Sequence, residues 1–162
     1  YVSPPRISRR LRTMISFTEE IKAKGLEATS KVLEAALIEA DEHIAKKMQI
    51  RPGEPIYRIT RIRYADKRPV GLNTSHISAR LCPGFLDAVD FSMGPLYDYT
   101  FDLYGLRITK AERILESIPS SAELATTLEV ASGDPVLKLT GIAYAESGDV
   151  LDYCIEYYRE DW

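Results

Sequence analysis

Two stretches of this chain, 80 positions apart, match without a gap, and no other feature narrows the possible folds as much. Gly53-Glu54-Pro55-Ile56 returns as Gly133-Asp134-Pro135-Val136, and residues 59–66 return as 139–146. Between 48–72 and 128–152, seven of 25 positions are identical: Gly53, Pro55, Thr60, Ile62, Tyr64, Ala65 and Val70 equal their partners. The same offset sets Gly25-Leu26 on Gly105-Leu106 and Ile44-Ala45 on Leu124-Ala125. A unit of this length is too long for a solenoid repeat, and two copies fall short of the three that a stacked array needs. Two copies more naturally close one domain about an internal pseudo-two-fold.

Within each copy the order reads helix, strand, helix, strand, strand. Ser16 with Glu19 three residues on is a capping-box pattern that opens a helix, and Gly25 ends it. Residues 27–38 read as a strand, and 41–49 as a short helix with Ile44, Ala45 and Met48 on one face. Residues 56–64 are rich in β-branched and aromatic side chains and read as a strand. Residues 65–69 turn the chain, and 70–77 return beside it. Cys82-Pro83-Gly84-Phe85 reads as a loop or short helix, and 96–104 as a helix stopped by Gly105. A strand over 107–118, a helix over 121–128 and strands over 136–145 and 150–158 complete the chain. Three strands per copy give a six-stranded, mostly antiparallel sheet with covering helices, an α+β domain.

The strand over 56–64 carries the most suggestive chemistry. Alternation with period two puts Tyr57, Ile59, Arg61 and Arg63 on one face. Two guanidinium groups one pleat apart make a workable fork for a carboxylate or phosphate. The competing reading is a solvated strand face whose arginines pair with carboxylates on a neighbouring strand. The repeat bears on this choice, because the equivalents of Arg61 and Arg63 are Gly141 and Ala143. Charge on one wall and room opposite predicts a pocket between the halves.

Composition excludes several classes. A chain of 162 residues favours one domain, and a net charge of -3 argues against a nucleic-acid-binding face on it. Cys82 and Cys154 make neither a metal spacing nor a disulfide framework, which suits a reducing cytosol. No apolar run approaches the ~20 residues that cross a bilayer. His43 reads as a surface residue and His76 as a structural one. Two histidines and two separated cysteines leave no zinc set, and there is no P-loop or dinucleotide fingerprint, so neither metal nor cofactor is expected. The acidic stretch 156–161 reads as strand edge and tail.

Five short motifs occur in a telling order: Ser16-Phe17-Thr18-Glu19-Glu20 before Gly25; Arg61-Ile62-Arg63-Tyr64-Ala65-Asp66 before Pro69; Cys82-Pro83-Gly84; Leu96-Tyr97 before Tyr104-Gly105; and Tyr158-Arg159-Glu160-Asp161. Together they resemble a UTRA domain, the effector-sensing domain of GntR-family transcription regulators of the HutC type. The resemblance runs from Ser16 to Asp161. Tyr1-Val2-Ser3-Pro4-Pro5 also resembles the exit from the β-wing of a winged helix-turn-helix. Residues 1–14 are therefore expected to be a linker from a missing DNA-binding domain, and 15–162 the ligand-binding domain.

The resemblance implies a chorismate-lyase-like α+β fold, dimerisation, and a site for a small anionic metabolite, either a sugar phosphate or an organic acid. By position it assigns Ser16, with Phe17 and Thr18 of the same motif, Arg61, Arg63 and Tyr97 to an anion, and Asn73, Asp152 and Tyr158 to the body of the effector. Asn73 stands where family members often carry glutamate, and Pro95 where a serine is often found, which leaves a carboxylate effector as open as a phosphorylated one. The expected function is ligand sensing and homodimerisation for a cytoplasmic bacterial repressor that meets operator DNA only through its missing N-terminal domain. The alternatives are a chorismate-lyase-like enzyme acting on an aromatic carboxylate and a pure dimerisation module.

Overall fold

Runs in which apolar side chains recur at every second position, bounded by glycine and proline turns, build one sheet. In the computed structural model, which describes residues 17–161, the elements are α1 (Phe17–Ala23), β1 (Ala28–Glu39), α2 (Glu42–Met48), β2 (Pro55–Ala65), β3 (Arg68–Ser78), α3 (Phe85–Ala88), α4 (Leu96–Tyr104), β4 (Ile108–Pro119), α5 (Ala122–Leu128), β5 (Pro135–Ala145) and β6 (Val150–Arg159). The six strands lie in the order β1-β2-β3-β6-β5-β4, and every neighbouring pair is antiparallel. The loop or short helix expected at Cys82-Pro83-Gly84-Phe85 is α3, entered through Gly84 at φ 72.

The bounds of β1 and β4, of α2 and α5, and of β2 and β5 differ by 80 throughout. Local chemistry recurs with them. Asp41 caps α2 by accepting from the Ile44 amide at 2.8 Å, and Ser121 caps α5 by accepting from the Leu124 amide at 3.1 Å. Both helices close through a left-handed residue that is not glycine, Gln49 at φ 57 and Glu129 at φ 56. The sheet order reads as three strands from each half, meeting at the β3–β6 seam.

Each face of the sheet is covered differently. On one face α2 packs Ile44, Ala45 and Met48 against Ile56, Val150 and Tyr153, while α5 packs Leu124 and Leu128 against Val136. On the other face Phe85 of α3, Phe91 and Leu96 pack against Tyr57, Ile59, Ile77 and Leu151. Nearby, Ile21 of α1 sits on Ala65 and Val70. Burial of such large side chains is the main stabilising term, roughly 1.5–3 kcal/mol each. Among the described residues, no helix is long and apolar enough to cross a membrane.

One expectation fails here. The stretch from Glu156 is not a sheet edge, because β6 lies inside the sheet between β3 and β5. The edges are β1 and β4, where Leu33, Leu37 and Ile114 are exposed. Only beyond β6 does the tail reading hold: Asp161 is exposed and bridges Arg68 at 2.8 Å and Arg159 at 3.0 Å.

Candidate functional site

Alternation along β2 turns Arg61 and Arg63 toward the face that the α3–α4 segment covers, and each is only 4% exposed. Solvation, one half of the competing reading, therefore fails for this pair, while Glu156 of β6 still acts on both as an opposite charge. That reading describes Arg58 instead, on the opposite face, which ion-pairs with Glu34 of β1 where both side chains are more than a third exposed. Arg61 donates from Nη1 to the carbonyl oxygens of Phe91 at 3.3 Å and Gly94 at 3.1 Å, so the segment before α4 closes over it. Burial, and then repulsion from Arg63, drives Arg61 down to about 9; burial also lowers Arg63. A guanidinium deprived of water is stabilised by an anion placed against it.

Strand register sets the neighbours. Asn73 lies directly across from Arg61, and Gly71 across from Arg63. One strand further, Tyr158 lies across from Gly71 and Glu156 across from Asn73. Gly71 has no side chain for a reason: a Cβ there would lie 2.9 Å from Tyr158 Cε1. Tyr158 donates its hydroxyl to Glu156 Oε2 at 2.8 Å, and Asn73 donates Nδ2 to the Tyr158 oxygen at 3.3 Å. Asn73 Oδ1 is buried and has no partner among the described residues.

Asp152, at 1% exposure, anchors the other end of this cluster. Its Oδ2 accepts from the Tyr97 hydroxyl at 2.5 Å and from Ser75 Oγ at 3.4 Å. Its Oδ1 is buried without a partner among the described residues. Burial pushes Asp152 up to about 7 despite the Tyr97 hydrogen bond, with negative Glu156 adding to the rise. Burial also raises Tyr97 well above the usual phenol range, followed by the charge of Asp152. Tyr97 belongs to α4, so the covering segment is tied to the sheet twice, at Arg61 and at Asp152.

The expected pocket wall opposite the arginines is not there. Gly141 and Ala143 lie on the same sheet face as Arg61 and Arg63, with β3 and β6 between. Gly141 faces Cys154 in register, and a Cβ on it would sit 3.0 Å from Cys154 Sγ. Ala143 faces Asp152. These small residues leave room for side chains of β6, one of which is the buried acid.

Of the residues expected at the site, Arg61, Arg63, Asn73, Tyr97, Asp152 and Tyr158 are linked by hydrogen bonds, register or mutual charge effects. Ser16 lies outside the described residues, and of Phe17 and Thr18 only the backbone is described, at the start of α1. His76 points to the opposite face, where Nδ1 meets the Tyr153 carbonyl at 2.8 Å and the ring stacks on Tyr153. His43 is exposed on α2. Both thiols are buried, and burial pushes Cys82 up to about 12. Among the described residues no cluster of His, Cys, Asp and Glu suits a metal ion.

Glu156, Ser75 and the Phe91 and Gly94 carbonyls were not anticipated. Glu156 was legible in principle: it shares strand parity with Asp152 and Tyr158, and so their face. Chemically the cluster combines two guanidinium groups from β2 with Asn73 Oδ1 of β3, unpartnered among the described residues, and the acids Asp152 and Glu156 of β6.

Residues 23–162 match a family model described as UTRA domain. Over 161 residues the chain is 29% identical to the HTH-type transcriptional repressor NagR of Bacillus subtilis (strain 168), with 99% of this chain and 65% of that protein covered. It is 22% identical over 161 residues to the mannosyl-D-glycerate transport/metabolism system repressor MngR of Escherichia coli (strain K12), with 99% and 66% covered. The crystal structure of the effector domain of PhnF from Mycobacterium smegmatis is similar in fold at a TM-score of 0.84 and 26% identity, with 92% of this chain and 91% of that chain covered. The chain thus spans slightly less than two thirds of each of these two curated relatives.

Proposed function

Because the chain belongs to the UTRA domain family, we propose that it is the effector-sensing and dimerising part of a GntR-family, HutC-type transcription repressor working in the bacterial cytoplasm. The observation that carries this reading is the pair of arginines, one pleat apart on β2 and each 4% exposed, with Arg61 held by the α3–α4 segment. Burying two like charges costs several kcal/mol that opposite charges offset; Glu156 and Asp152 supply part of that offset at Arg61, yet burial still holds it at about 9. The effector is accordingly an anionic metabolite, a sugar phosphate or an organic acid. Arg61 and Arg63 take the anion, to which the family resemblance also assigns Ser16, Phe17 and Thr18, while Asn73, Tyr97, Asp152 and Tyr158 meet the rest of the molecule. Two copies form a homodimer, and operator DNA is met through a separate domain outside this chain. Effector binding changes operator affinity only by its difference in affinity for the two states. NagR and MngR are named as repressors, and the lyase alternative draws no support from these relatives.

A thermal-shift panel of sugar phosphates and organic acids tests the site, since a ligand present at 100 times its Kd adds about 2.7 kcal/mol. Arg61→Met weakens binding of any ligand so found by at least about 30-fold. Unchanged affinity in both Arg61→Met and Arg63→Met removes the arginine site. A ligand that binds the site yet leaves operator affinity of the full-length repressor unaltered removes the sensor.

A further inference from the structure

The arginine face has a hydrogen-bond polarity, and Glu156 sets it. A phenol has one proton to give. Tyr158 gives it to Glu156 Oε2 at 2.8 Å. Burial and the neighbouring Glu156 raise the Tyr158 hydroxyl well above the usual phenol range, so it keeps its proton throughout neutral pH. With that proton committed, the Tyr158 oxygen can only accept from Asn73, and Nδ2 meets it at 3.3 Å. A turned amide would set its carbonyl against the lone pairs of the phenol. The Asn73 oxygen is therefore held as an acceptor on the arginine face, directly across from Arg61, buried and without a partner among the described residues. Gly71 secures the geometry, because only a residue without Cβ lets the Tyr158 ring lie this close to β3.

We propose that Glu156 is a positioning residue of the effector site: acting through Tyr158, it fixes the Asn73 amide with its oxygen toward the ligand and so selects anions that carry a hydrogen-bond donor, a hydroxyl or ammonium, beside the anionic group. This rests on the arginine-site reading above. An acceptor-only anion sets lone pairs against Asn73 Oδ1 and leaves that oxygen buried and unbonded, a loss of about tenfold or more in affinity.

Titration calorimetry of the 162-residue chain with glycerol 3-phosphate and with 2-methoxyethyl phosphate tests the proposal. The two probes share a phosphate ester, but the first offers hydroxyl donors and the second only an ether acceptor. The wild-type chain is expected to favour glycerol 3-phosphate by at least about tenfold. Glu156→Ala releases the phenol proton, lets the amide turn, and brings the ratio toward one. Tyr158→Phe, which keeps the ring beside Gly71 and removes the hydroxyl, collapses the ratio in the same way and serves if Glu156→Ala does not fold. A wild-type ratio near one overturns the proposal. So does a ratio that survives in the folded variants while both probes weaken together, which would leave Glu156 a merely structural residue. If neither probe nor inorganic phosphate binds the wild type, this proposal falls, whereas the arginine site itself is judged by the organic-acid arm of the thermal-shift panel.

Discussion

Strands β2 and β5 hold equivalent places, each second from an edge of the sheet, with bounds 80 residues apart, yet their inward positions serve opposite ends. β2 buries Arg61 and Arg63, and the covering segment hydrogen-bonds to Arg61. β5 sets Gly141 and Ala143 there, and its neighbour β6 fills the room with Cys154 and Asp152. The contrast teaches that a small residue in a sheet need not mark empty space. It marks where the adjacent strand carries the chemistry. The arginines on β2 and the acids on β6 are thus two answers to one framework, and they meet across β3.

Copying the first half into the second breaks the comparison most severely. Gly141→Arg forces a charged side chain against Cys154, and a destabilisation above about 4 kcal/mol is expected from overpacking and buried charge together. Urea denaturation measures it, and wild-type stability in that variant would mean that β5 does have free space. The acid seated opposite Ala143 gives the next effect. Asp152 titrates near 7 in the folded chain against an ordinary 3.8, so the folded chain binds the extra proton between these values. Its contribution is fully present below about pH 4 and is lost as pH rises through about 7, by roughly 4 kcal/mol. Asp152→Asn should therefore gain on the wild type steadily from pH 4 to pH 8; a constant gap would show a well-solvated carboxylate. The smallest effect sharpens the equivalence instead. Asp41→Ala and Ser121→Ala remove matching helix caps and should each cost about 1 kcal/mol. Chemical melts that separate the two by more than about 1 kcal/mol would show that the halves support their helices differently.

Much of the framework was readable because turn residues and alternation act locally. Gly53-Glu54-Pro55 and Gly133-Asp134-Pro135 precede strands wherever the chain goes, and Asp41 and Ser121 cap helices through neighbours three residues on. The parity that groups Arg61 with Arg63 is equally local. Which face becomes buried is not, since it depends on the α3–α4 segment folding back onto β2, and nothing in residues 56–64 encodes that return. The position of β6 was hidden for the same reason. A last strand looks like an edge until its pairing with both β3 and β5 is known, and so Glu156 passed for part of an acidic tail. The picture of space opposite the arginines failed because sequence offset shows which positions correspond, not whether they face each other.

The β3–β6 seam has a consequence for the order in which this protein comes together. Within each half the strands pair with those next in the chain, whereas Asn73 meets Tyr158 across 85 residues. Closing so long a loop carries the larger entropic cost, and non-local pairings of this kind are slow to form. A nascent chain that has completed β1 to β3 already holds Arg61, Arg63 and Asn73, but none of Asp152, Glu156 or Tyr158. The complete cluster is thus the last feature the chain assembles, and it arrives with the two halves joined.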